Sequence, residues 1–354
     1  MRRIGYYLLV ALVLAGPAAA ELPPSLHRGI NITNWFRFPV SRDPALLRSY
    51  LDDATMDQLR RSGFTFVRIA VQSDMLTARV PLLEAINRLQ RHGLAVIVAL
   101  FPSGWQAEIQ PSKLIASWRT LAPLLGRFNP AMTFPEILNE PVFADQPASW
   151  AALQHQTLQT IRTILPENTI VLTGADWGST RGLLALSPER DANVIYSFHF
   201  YEPPELTALG AYRPGLDSAA LTRLPFPVSD RTRCEAIAAT TSDTATAGLM
   251  RFYCAEQWDA TKVGSRMAAV GEWAREHHVN VIAGEFGASD RLTSESRLAW
   301  LATVRAACEH EGFGWSLWGY DDSMGFAIHS PGRTIQLDSG ILSALGLTDS
   351  ERTK

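Results

Sequence analysis

The sequence predicts an α/β protein, a single (β/α)8 TIM barrel with a long β6–α6 insertion. Three observations carry that prediction. From His27 onward, short apolar runs alternate with longer segments of helical period, a pattern that calls for parallel strands joined by helices. The runs number eight, the count that closes such a sheet into a barrel. Two of them finish on a glutamate, and a barrel of this kind does its work at the C-terminal ends of its strands.

HRGINITNWF gives a first strand near His27 to Ile32 and places Asn34 and Trp35 just past its end. A helix over Thr55 to Ser62 leads to FTFVRIAV, a second strand from Phe64 with Arg68 inside an otherwise apolar run. A buried arginine must be paired, either in a structural ion pair or as a cation that keeps a nearby nucleophile ionised. Val80 to His92 has helical period and ends at Gly93, LAVIVALF is the third strand, and Trp105 sits in the loop beyond. Ser112 to Leu125 is helical and leads to TFPEILNEP, a fourth strand that ends on Asn139 and Glu140 and is stopped by Pro141.

Trp150 to Leu165 forms a helix closed by Pro166, and TIVLTG from Thr169 is the fifth strand, with Asp176 and Trp177 after it. NVIYSFHFY from Asn193 is the sixth and delivers His199 and Tyr201 at alternate positions that share one face. The stretch from Glu202 to about Gly248 is rich in Pro, Ser and Thr and long for a compact domain, so it is expected to hold a short helix near Glu235 and to wall one side of a cleft. Gly248 to His278 reads as one long helix, and VNVIAGE as the seventh strand, ending on Glu285 before Gly287. Ser294 to Glu309 is the next helix, GFGWSLWGY the eighth strand with Trp318 near its end, and Asp338 to Leu347 a last short helix.

Residues 1–20 stand apart from this pattern. Arg2 and Arg3 precede an apolar run from Ile4 to Ala15 and then Ala18-Ala19-Ala20, which reads as a secretory signal cleaved after Ala20. The apolar run is too short for a membrane anchor. The expected mature domain is 21–354, secreted or periplasmic and monomeric. It loses two of 32 basic residues and none of 35 acidic ones, so its formal charge is 30 − 35 = −5. That balance argues against nucleic acid or an anionic membrane as partner. Cys234 and Cys254 flank one segment and could pair, closing a loop worth about 3 kcal/mol in the chain-entropy model. Cys308 then remains as a core thiol on a helix's apolar face.

Paired carboxylates are what glycosidic-bond hydrolysis needs: one gives a proton to the leaving oxygen, the other attacks or stabilises the positive sugar carbon. Glu140 and Glu285 end the fourth and seventh strands, on opposite sides of the barrel mouth. Glu136 shares the strand face of Glu140 and reads as part of a buried polar network. His277-His278 reads as a solvated helix end, since no third ligand accompanies it at metal-site spacing. No Gly-rich phosphate loop, G-x-S-x-G elbow or H-E-x-x-H pair occurs, and neither a cofactor nor a metal is implied.

RGINITNW, FTFVRIAV, ILNEP, FHFYEP, IAGEFG and the Trp318 strand, in this order, resemble glycoside hydrolase family 5, the cellulase-type barrels, over essentially the whole mature chain. The resemblance implies a retaining hydrolase of β-linked polysaccharide or oligosaccharide, endo-β-1,4-glucanase-like, with Glu140 as acid/base and Glu285 as nucleophile. In those roles Glu140 must hold a proton when it donates and Glu285 must be ionised when it attacks. The resemblance also implies that Arg68 supports the nucleophile, Asn139 binds the sugar 2-hydroxyl, Tyr201 orients Glu285, His199 lines the same subsite and Trp318 forms a platform under the reacting sugar. Trp35 and Trp177 are further candidates for stacking on sugar. One departure stands out. Where many family members have a histidine at the end of the third strand, VALFP places Phe101 or Pro102. The alternatives are another β-glycan such as β-1,3-glucan or mannan, transglycosylation, and a carbohydrate-binding protein without catalysis.

Overall fold

The computed structural model describes residues 21–103, 110–143, 145–321 and 337–348; the expected signal segment and Trp105 lie outside the described residues. Eight strands close in sequence order: β1 Arg28–Phe36, β2 Phe66–Gln72, β3 Ala95–Phe101, β4 Thr133–Glu136, β5 Ile170–Thr173, β6 Val194–Phe200, β7 Val281–Phe286 and β8 Gly314–Leu317. Each pairs in parallel with the next, and β8 pairs back onto β1. The fold is a (β/α)8 barrel.

Strands buried on both faces read as continuous apolar runs, and period 2 decides which residues point inward. On β2, Val67, Ile69 and Val71 pack under the helices, whereas Phe66 joins the barrel floor and Ala70 the barrel top. Arg68 lies between those two and so points into the barrel. The floor is Leu22, Leu26, Phe66, Ala95, Ile97, Phe134, Val171, Ile195 and Ile282. Gly29 must lack a side chain here, because a Cβ would lie 2.2 Å from the Phe66 ring. Above the floor comes a polar layer around Arg68, then Ala70, Ala99, Phe101 and Trp318 beneath the mouth.

Outer-helix indoles tie down the strand ends that carry the polar layer. Trp118 Nε1 donates to the carbonyl of Ile137, Trp150 Nε1 to that of Thr173 and Trp300 Nε1 to that of Glu202, at 2.7, 2.7 and 3.0 Å. Each bond satisfies a carbonyl where regular pairing ends, and each fixes the chain just before or after a residue of the site.

Two sequence expectations are corrected. Gly248 to His278 is not one helix but parts of two, Thr244–Glu256 and Ala260–His277. Gln257 turns left-handed at φ 48°, ending the first, and the Asp259 carboxylate accepts from Lys262 N to start the second. β1 also runs past Ile32, because pairing with β2 resumes at Phe36↔Val71 after an irregularity. Trp35 therefore lies inside the strand rather than beyond it. It is fully buried, stacks on Tyr50 and donates from Nε1 to Leu47 O, so no face is free to meet a sugar.

The segment after β6 contains the helices Pro204–Thr207, Ser218–Leu221, Arg231–Ala238 and Thr244–Glu256. A Cys234–Cys254 disulfide staples the last two. Cys308 is a buried free thiol. Replacing both Cys234 and Cys254 by Ala is expected to lower stability by about 3 kcal/mol and to lower the thermal unfolding midpoint; an unchanged midpoint would mean the bond contributes nothing to the fold.

Candidate active site

Arg68 is the centre from which the site is built. Its Nε and Nη2 donate to the two oxygens of Glu136, both at 2.6 Å. Nη2 also donates to Asn139 Oδ1 at 2.8 Å, and Nη1 donates to Asn31 Oδ1 at 2.8 Å and Glu285 Oε1 at 2.5 Å. A guanidinium has five N–H donors, and all five are used. The acceptors come from β1, from β4 and the chain just beyond it, and from β7. Arg68 and Glu136 are fully buried, and the neighbouring carboxylates raise the arginine's pKa further although burial opposes the charge. Glu136 thus belongs to a buried polar network, as its strand position indicated.

Glu285 reaches this cation through a local device in β7. Phe198 pairs with Ala283 but His199 with Glu285, so Gly284 is an extra residue in the ladder. A Cβ at Gly284 would lie 2.2 Å from Ser197 Oγ, so any side chain there would have to turn that hydroxyl away. The bulge brings the carboxylate beside His199. Tyr201 completes its partners, donating to Glu285 Oε2 at 3.0 Å. Burial first, and then the charge of Glu285, push the Tyr201 phenol well above its ordinary pKa, so it stays a donor.

Glu140 is held differently. The β4 ladder ends at Glu136, four residues earlier, and Glu140 adopts a left-handed backbone with φ 45°. A non-glycine residue there costs on the order of 1 kcal/mol, a strain that recurs at functional sites. The following turn is clamped by Asp176 N to Val142 O at 2.9 Å and Trp177 N to Pro141 O at 3.0 Å. The Glu140 side chain is 22% exposed against 4% for Glu285.

His199 Nδ1 lies 2.9 Å from Glu140 Oε1 and 3.3 Å from Glu285 Oε2. With carboxylates as its neighbours, Nδ1 carries the proton, and among the described residues Nε2 is buried without a hydrogen-bond partner. Burial, the largest influence, works against the imidazolium, yet Glu285 and Glu140 together raise its pKa above the ordinary 6.5. The ligating atoms of Glu140, His199 and Glu285 lie within 4.8 Å of one another, a spacing that could admit a metal ion. His199 Nδ1 hydrogen-bonds Glu140 and lies within ion-pair distance of Glu285.

The structure therefore brings Arg68, Asn139, Glu140, His199, Tyr201 and Glu285 together and leaves Trp35 out. Trp318 lies at the barrel top beside Phe101, only 4% exposed, with its backbone N–H donating to Phe286 O at 2.8 Å. Trp177 is half exposed, on the turn adjoining Glu140.

Three site residues were not singled out from the sequence. Asn31 bonds Arg68 and also donates from Nδ2 to Gly284 O and Ser316 Oγ at 3.0 Å each, locking the bulge to β1 and β8; its signal was a polar residue inside an apolar strand, the same signal that exposed Arg68. Arg37, just past β1, lies over the Phe101 and Trp318 rings. Tyr212, in the long segment after β6, is 72% exposed, and its pKa is raised first by the surrounding protein and then by the charges of Glu140 and Glu285. Neither carries a local pattern that singles it out.

Two acids facing each other at this spacing on a barrel rim are the equipment of glycosidic-bond hydrolysis. Residues 27–323 match the family model described as cellulase (glycosyl hydrolase family 5), and the chain belongs to that family. It is 25% identical over 380 residues to Endoglucanase 3 of Fibrobacter succinogenes, covering 95% of this chain and 55% of that protein, so it spans about half the relative's length. Cellodextrinase A of Ruminococcus flavefaciens is 21% identical over 309 residues, 80% of this chain and 82% of its own. Among solved structures, endoglucanase Cel5A of Thermotoga maritima superposes with a TM-score of 0.73 at 24% identity, covering 91% of this chain and 97% of that one.

Removing the acceptor that Arg68 uses twice tests the network. Glu136→Ala leaves a buried cation with two unmet protons and is expected to cost about 3–5 kcal/mol in urea unfolding; a loss under 1 kcal/mol would show that Arg68 is held by its other partners alone. A raised folded pKa for His199 means that its stabilisation is complete below about pH 6.5 and is lost as pH rises through the folded value. The gap in melting temperature between wild type and His199→Asn should therefore narrow from pH 6 to pH 9. A gap constant over that range would mean the ring is neutral throughout.

Proposed function

We propose that this hydrolase cleaves a β-linked glucan with retention of anomeric configuration, Glu140 acting as acid/base and Glu285 as nucleophile. One observation carries the reading: the facing atoms of the two carboxylates lie within 4.8 Å of one another, across a single imidazole. Retaining glycosidases hold their carboxyl groups about 5–5.5 Å apart and inverting ones about 6.5–9.5 Å, the larger gap leaving room for a water.

The surroundings support the division of labour. Glu285 receives hydrogen bonds from Arg68 and Tyr201, which fix its orientation. In the first step a Glu285 oxygen bonds to the anomeric carbon as the glycosidic C–O bond breaks, and Glu140 passes its proton to the departing oxygen. His199 Nδ1–H faces the charge that Glu140 then acquires. In the second step Glu140 takes a proton from water, whose oxygen displaces Glu285 and restores the original configuration. Asn139 turns its carbonyl to Arg68, which directs its amide N–H groups elsewhere and favours a bond to the sugar 2-hydroxyl. Trp318 and the half-exposed Trp177 are the proposed sugar-contacting aromatics.

A β-1,4-glucan is favoured as substrate because the relatives are an endoglucanase and a cellodextrinase, and because Thermotoga maritima Cel5A is described in complex with cellobiose. The same Cel5A is described with mannotriose, so mannan belongs on the test panel beside β-1,3-glucan. Residues 1–20 favour export as the setting in which a polymeric substrate is met. Among the described residues no helix is long and apolar enough to cross a membrane.

Hydrolysis of a glycan panel, with the first-formed anomer read by NMR, tests the reading: the β anomer is expected to appear first, and the α anomer first would overturn it. Glu285→Gln should lower kcat by at least about 10³-fold on every substrate. Glu140→Gln should lose about 10²–10⁴-fold on a natural glycan and far less on a dinitrophenyl glycoside, whose leaving group needs no proton. Equal losses on both substrates would remove Glu140 from the acid role.

A further inference from the structure

Arg37 stands immediately after β1, where the irregular pairing of Ile32 to Phe36 redirects the chain over the barrel mouth. Its guanidinium carbon lies 4.2 Å from the centre of the Phe101 ring, 4.6 Å from Phe38 and 5.5 Å from Trp318. Aromatic rings hold the group in place while satisfying none of its protons. Among the described residues it donates no hydrogen bond and enters no ion pair, in contrast to Arg68, whose five donors are all used. Arg37 is partly buried, and its pKa is lowered by burial, with the charges of Glu285 and Glu140 acting the other way.

A partly buried cation whose donors meet no protein acceptor among the described residues is free to take a ligand's acceptors in place of water. Neutral sugar hydroxyls would be served as well by a neutral donor; a permanent positive charge discriminates only if the ligand carries a negative one. The site can accept that charge. Arg37 and Arg68 together balance Glu136 and Glu285, and Glu140 faces a histidine whose pKa is raised, so a single incoming negative charge meets no excess of its own sign. A doubly charged phosphate would exceed that balance, whereas a carboxylate matches the guanidinium fork two-to-two.

Resting on the glycosidase reading above, we propose that Arg37 is a specificity residue that selects a carboxylate-bearing sugar, a uronic acid, over Phe101 and Trp318, so that the preferred substrate is an acidic β-glycan.

The test uses β-1,4-linked oligosaccharides of alternating glucose and glucuronate, and the same oligosaccharides after reduction of their carboxyl groups to the neutral glucan. Both are titrated calorimetrically into Glu285→Gln and into Glu285→Gln carrying Arg37→Gln or Arg37→Lys. The expected result is binding of the acidic form at least about tenfold tighter by Glu285→Gln, a preference that falls towards one with Arg37→Gln, survives in part with Arg37→Lys and weakens with added salt. Equal binding of the two forms by Glu285→Gln, or a loss on Arg37→Gln that is the same for both, would overturn the proposal. Wild-type hydrolysis of the neutral form reports separately on the glycosidase reading. Turnover of the neutral glucan without acidic preference sinks only the assignment of Arg37; acidic preference in binding without turnover of either glycan sinks only the assignment of the reaction.

Discussion

The fold and the site depend on one interaction, the complete satisfaction of a guanidinium inside the barrel. Moving an arginine out of water is expensive, and the cost is offset only when every donor finds an acceptor of good geometry. Arg68 finds them on Asn31, Glu136, Asn139 and Glu285, contributed by three parts of the barrel wall. Stability and preorganisation are therefore the same event here. The acceptor set exists only when the barrel has closed, and once closed it leaves Glu285 almost no freedom.

This arrangement separates two chemically identical side chains. Glu285 is buried, fixed by a cation and a phenol, and held by a bulge at Gly284, which packs closely on Ser197 Oγ. Glu140 is partly exposed, follows a strand that has already ended, and contacts the network through His199. One acid is locked in orientation while the other is open to solvent, an asymmetry that the proposed double displacement would use. The aromatic roof of Phe101 and Trp318 lies above Arg68, and Arg37 adds a second cation over it. The site thus holds two arginines, one fully paired with polar partners and one packed on aromatic rings.

Much of this was legible in the sequence, because parallel strands announce themselves as apolar runs and a carboxylate at the end of such a run has few structural reasons to be there. Glu140, Glu285, the buried pairing of Arg68 and the polar network of Glu136 follow from that logic. What was not legible depends on register. The extension of β1 buries Trp35 and swings Arg37 over the mouth, and it arises from an irregularity in pairing that no local pattern encodes. The break at Gln257 was hidden because apolar residues on both sides keep a helical period, and only the backbone turn and the Asp259 cap interrupt it. Gly284 read as part of a strand; its role as the extra residue beside Ser197 appears only when β6 and β7 are side by side.

The most direct test of the account is to trap the covalent intermediate. A dinitrophenyl 2-deoxy-2-fluoro-β-cellobioside should inactivate the wild-type enzyme with burst release of one equivalent of dinitrophenol, because the fluorine slows the second step more than the first. Mass spectrometry of the digested protein should then place the sugar on Glu285. A sugar found on Glu140 or on any other residue would contradict the proposed division of roles.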